Sequence, residues 1–102
     1  MAEISKNGDQ VVVKPGKDVV ASMANEFRSQ LHKLVQEEPR ELVIDLAGVE
    51  MVDSVGIGVI IATHNSLNKA GGSLRVTNVA SDIFTLFSTM RLDHHFTIEK
   101  NR

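Results

Sequence analysis

Four apolar runs of strand length alternate along this chain with three stretches of helical periodicity, and few folds accept that order. The runs are Val11–Val13, "ELVIDL" (41–46), "SLRVT" (73–77) and "HFTIE" (95–99). Between the first two, Val19, Met23, Phe27, Leu31 and Leu34 recur every three or four positions. That spacing predicts one buried face of a helix over Asp18–Glu37, with Asp18 as its N-cap and Pro39 as its stop. The opening "EISKNGDQVVVKP" predicts a β-hairpin turning on Asn7-Gly8 and closed by Pro15-Gly16. "ELVIDL" is nearly continuous in apolar residues, as expected of a strand covered on both faces.

A second helix is expected from Ser54 to Ala70, capped by Asp53 and ended by Gly71-Gly72, with Lys69 in its last turn. A third is expected over 81–90 with Ser81 as cap, its apolar residues being Ile83, Phe84, Leu86, Phe87 and Met90. Phe27, Phe84, Phe87 and Met90 are assigned to the core, and Lys33, Glu37 and Glu38 to a solvated face. The order ββαβαβαβ implies an α/β domain with a mixed, mostly parallel sheet and an antiparallel edge. With 102 residues, no linker and no internal repeat, a single domain over 1–102 is expected.

Composition removes several classes of function. Lys and Arg number 11 against 13 Asp and Glu, giving a net charge of −2 without a basic cluster, so nucleic acid is not an expected partner. Neither a signal peptide nor a membrane span is legible, and a cytoplasmic protein without membrane contact is expected. Cysteine is absent, which rules out disulfides and thiolate chemistry.

Enzyme motifs fare no better. An esterase elbow needs G-x-S-x-G, and Val52 stands where the first glycine belongs. Gly56-Ile57-Gly58 lacks the third glycine of a dinucleotide fingerprint, which would fall at Ile61. His94 and His95 are adjacent and face apart on a strand, and His32 and His64 have no ligand partner at metal-binding spacing. Asp45 and Asp53 suggest an acid–base pair, but no residue nearby supplies the other half of a site.

The stretch "VDSVGIGVI" (52–60) survives. Capped by Asp53, the residues Ser54, Val55 and Gly56 would form a first helical turn whose N–H groups lack intrahelical partners and whose dipole tolerates an anion. Gly56 and Gly58 would remove side chains so that another macromolecule can approach the backbone. The alternative is a tight strand-to-helix turn built from small residues for packing.

From Leu42 to Phe96 the sequence strongly resembles the STAS domain of bacterial anti-sigma factor antagonists. The likeness rests on the strand carrying Asp45, on "DSVGIGV", and on "AGGSLRV" followed by an apolar helix ending near Leu92. The resemblance implies that Ser54 is phosphorylated by an anti-sigma factor that is itself a serine-protein kinase. It implies that the unphosphorylated form binds that anti-sigma factor, that phosphorylation breaks the complex, and that a PP2C-type phosphatase reverses it. Asp53, Ser54, Val55, Gly56, Ile57 and Gly58 would form the partner surface of a monomer or weak dimer that needs no cofactor or metal. Two departures stand out: Val55 replaces a common hydroxyl residue, and "PGKDVVAS" matches the family loosely. An accessory STAS subunit of a transport complex, never phosphorylated, is the alternative reading. A small serine hydrolase is the third.

Overall fold

The structure, a computed structural model, describes residues 2–101. Strands β1 (Glu3–Asn7) and β2 (Gln10–Lys14) form the hairpin and pair antiparallel. Asn7 pairs with Gln10, so the two turn residues are Gly8 and Asp9 rather than Asn7 and Gly8; Gly8 takes the positive φ of +63°.

Helix α1 (Ala21–Gln36), strand β3 (Glu41–Asp45), helix α2 (Ser54–Lys69), strand β4 (Ser73–Val79), helix α3 (Ser81–Thr89) and strand β5 (Thr97–Lys100) follow. A turn of 3-10 helix at Leu92–His94 lies between α3 and β5. The strands line up in chain order, with β2 to β5 parallel. Right-handed crossovers stepping in one direction put all three helices on the same face of the sheet. Parallel strands also deliver all three helix N-termini to one edge of the sheet.

Burial follows from this layering. Val11, Val13, Leu42, Ile44, Leu74 and Val76 alternate along β2, β3 and β4 and pack with Phe27, Leu31, Ile60, Leu67 and Phe87 from the helices. The expectation that β3 is covered on both faces is therefore corrected. On the opposite face Gln10, Glu41 and Arg75 are only half-buried, and Val43 is enclosed there without a helix above it. Arg75 bridges Glu41 at 2.8 Å and Glu99 at 3.3 Å across that open face. Hydrogen bonding from Gln10 and from Arg75 holds the Glu41 carboxyl below the usual carboxylate range.

Three end assignments also change. Asp18 does not cap α1: the N-cap position is Val20, without a side-chain bond. Ala80 rather than Ser81 precedes α3 as N-cap. Met90 is 45% exposed and does not belong to the core. Gly71 and Gly72 do end α2. Gly71 adopts φ +83°, and a β-carbon on Gly72 would stand 2.6 Å from the Pro39 carbonyl oxygen.

Candidate functional site

The site lies where the loop before α1 meets the loop before α2, on the edge that collects the helix N-termini. The two loops are stitched together by backbone. The Val19 N–H donates to the Met51 carbonyl at 2.9 Å, and the Asp53 N–H donates back to the Val19 carbonyl at 3.2 Å. Val19 and Val52 thus form an isolated parallel bridge. Asp18, freed from capping, accepts the N–H groups of Glu50 at 2.9 Å and Met51 at 3.0 Å. It is a clamp on the second loop rather than the start of a helix.

Asp53 completes the joint. Its extended backbone (φ −94°, ψ −178°) places it as the N-cap of α2, as expected. One oxygen, Oδ1, accepts the Gly56 N–H at 2.9 Å; the other, Oδ2, accepts the Ala21 N–H of α1 at 2.9 Å. One carboxylate caps two helices. Those donations, Gly56 first and Ala21 second, hold its pKa below the usual carboxylate range.

The two glycines of the motif have different roles. A β-carbon on Gly56 would fall 2.2 Å from the Val19 carbonyl oxygen and 2.9 Å from the Val19 Cγ1. Gly56 is therefore buried because α2 presses against the Val19 backbone, and it offers no clearance to another molecule. A β-carbon on Gly58 would meet nothing within 4 Å, so Gly58 faces open space, as expected of a surface glycine. Ile57 is 6% exposed and points into the core, which corrects its assignment to a partner surface.

Ser54 is exposed as the first residue of α2, one position beyond the shared cap. The helix end there favours an anion on its hydroxyl. Val55 at 40% and Met51 at 57% exposure stand beside it as apolar side chains in water. Met51, Asp18 and Val19 are the contributors that sequence reasoning missed. Helical periodicity places Val19 in a core stripe, and no local pattern shows that residues 18–21 meet residues 50–56.

Acid–base chemistry between Asp45 and Asp53 finds no support. Asp45 Oδ1 is occupied by the Ala47 N–H at 2.9 Å and the Asn78 amide at 2.8 Å, while Asp53 is occupied by its two caps. Among the described residues no group of three or more His, Cys, Asp or Glu is placed to hold a metal, and no helix is long and apolar enough to cross a membrane.

The STAS domain family model matches residues 1–102, and the chain belongs to that family. The sequence is 29% identical over 85 residues to the anti-sigma-B factor antagonist of Bacillus subtilis (strain 168), covering 83% of this chain and 77% of that protein. The fold matches the crystal structure of a candidate anti-sigma factor antagonist from Thermotoga maritima with a TM-score of 0.91 at 21% identity, over 98% of this chain and 86% of that one. It matches the anti-sigma factor antagonist SpoIIAA, solved in its unphosphorylated form, with a TM-score of 0.78 at 10% identity, over 100% and 89%. A sulfate transporter family protein from Wolinella succinogenes shares the fold too, with a TM-score of 0.80 at 12% identity, over 95% and 81%.

Proposed function

We propose that this protein is an anti-sigma factor antagonist, a cytoplasmic binding protein rather than an enzyme, switched by phosphorylation of Ser54. The unphosphorylated form binds an anti-sigma factor that is also a serine-protein kinase. Phosphate transfer to Ser54 dissociates the complex, and a PP2C-type phosphatase regenerates the binding form. The observation that carries this reading is the position of Ser54, exposed at the capped N-terminus of α2 and flanked by the solvent-facing Met51 and Val55. Sequence similarity to the Bacillus subtilis antagonist supports the partner class.

A transport-complex subunit is the second reading, favoured by the shared fold of the Wolinella succinogenes protein. One capture experiment separates the two. Wild-type protein and Ser54→Asp are used as baits in lysate of the native cell, and the bound proteins are identified. The switch predicts an anti-sigma factor retained by wild type and lost by the variant. A membrane transporter retained equally by both would establish the second reading instead.

A further inference from the structure

Met51 is the most exposed large apolar side chain among the described residues, at 57%, and it lies in the loop between β3 and α2. Surface loops commonly leave their backbone polar groups to water. Both backbone groups of Met51 are instead taken up by the loop before α1. Its N–H donates to Asp18 Oδ1 at 3.0 Å, and its carbonyl accepts the Val19 N–H at 2.9 Å. The same Asp18 oxygen accepts the Glu50 N–H at 2.9 Å. Asp18 precedes α1, which starts at Ala21, and does not cap it. What its two bonds shape is the loop that carries Met51 up to Ser54.

We propose that Asp18 is a positioning residue for the partner surface, acting through Met51 rather than by a contact of its own. The proposal deepens the reading of this protein as an anti-sigma factor antagonist and rests on it. An exposed methionine suits an apolar pocket on the partner, but ordering its flexible side chain on binding costs entropy. A loop without fixed bonds would add the cost of ordering its backbone, and a loop already shaped does not. Both N–H groups converge on a single Asp18 oxygen, so the device needs an acceptor at that point rather than a full negative charge. Asparagine offers a carbonyl oxygen in the same position and can accept both bonds, whereas alanine can accept neither.

The test is a double-mutant cycle on the full chain, read as affinity for the anti-sigma factor that wild type captures. Asp18→Ala should weaken binding by about fivefold or more, and Asp18→Asn should restore it to within about twofold of wild type. Once Met51→Ala has removed the side chain being positioned, adding Asp18→Ala should cost no more than about twofold further. Amide exchange at Glu50 and Met51 should quicken in Asp18→Ala and stay slow in Asp18→Asn. A melting curve for each variant confirms folding at the assay temperature. If Asp18→Ala melts below it, Asp18→Glu, which displaces the oxygen by one methylene, replaces it in the cycle with the same expected losses. The proposal is overturned if the Asp18 variant binds like wild type, if Asp18→Asn is as weak as that variant, or if the double variant loses the product of the two single losses. A wild-type chain that captures no anti-sigma factor would refute the underlying function and the proposal with it; wild-type binding with multiplicative losses refutes the positioning role alone.

Discussion

The Asp53 carboxylate accepts the backbone N–H of Ala21 at 2.9 Å across 32 positions of sequence. Since its other oxygen caps α2 through Gly56, the starts of α1 and α2 are fixed to one another by a single side chain. The phosphorylation candidate is the next residue. Ser54 thus follows a residue tied to both helices, which suits a surface whose signal is a change of charge rather than of shape.

Removing that frame should be costly. Asp53→Ala leaves two helix N-termini uncapped and is expected to lower Tm by roughly 5–10 °C. Asp53→Asn keeps acceptor oxygen on only one side and should fall between the two. Scanning calorimetry of the three proteins at neutral pH measures this, and equal Tm values would show that the double cap contributes nothing.

The pH dependence has a definite sign. Asp53 is held below the value of about 3.9 that it has in an unfolded chain, so it stabilises the fold above that pH. The contribution is lost as pH falls through the lower folded-state value. Glu41 acts with the same sign and remains in the variant. A Tm profile from pH 7 to pH 2.5 should therefore be flatter at its acid end in Asp53→Asn than in wild type; parallel profiles would contradict the capping account.

The two motif glycines should respond oppositely to the same change. Gly56→Ala drives a methyl group into the Val19 carbonyl, an overpacking of about 1–3 kcal/mol, and should lower Tm by several degrees or more. Gly58→Ala adds a methyl in open space on a helix and should gain about 0.5–1 kcal/mol. Chemical denaturation of both variants decides the matter. A stable Gly56→Ala would mean that α2 does not press on Val19.

Met51 and Val55 provide the test of the binding face. Replacing either exposed residue by aspartate should leave stability within about 0.5 kcal/mol, as surface changes usually do, yet weaken capture of the anti-sigma factor at least tenfold. Affinity titration beside a melting curve separates the two quantities. Unchanged affinity in both variants would move the partner surface elsewhere.

Much of the fold was legible because it follows from periodicity and turn chemistry. Val11, Leu42 and Leu74 stand in strand-like runs, Phe27 and Leu31 repeat at helical spacing, and Asp53 heads a helix with a free first turn. The expectations that changed depend on contacts across the sheet edge. Asp18 has the residue type of an N-cap, but α1 starts three residues later, at Ala21, and the carboxylate accepts the N–H groups of Glu50 and Met51 instead. Gly56 reads as clearance until Val19 is placed against it. Met90 continues an apolar helical stripe, but α3 ends at Thr89 and leaves it largely in water.

A phosphate on Ser54 adds about −1.5 to −2 charge, drawn by the helix end and repelled by Asp53. Helix-end effects of about 0.3–1 kcal/mol are too small to remodel a folded domain. At an interface, a buried charge without a partner costs several kcal/mol, a hundredfold or more in affinity. The decisive measurement is titration of the captured anti-sigma factor into unphosphorylated and kinase-treated protein, with the phosphate located by mass spectrometry and amide spectra recorded for both forms. The account predicts one phosphate, on Ser54, at least a hundredfold weaker binding, and shifts confined to residues near 18–21 and 50–58. A dominant phosphate on Ser22, Ser66 or Ser81, or unchanged affinity with Ser54 phosphorylated, would contradict it.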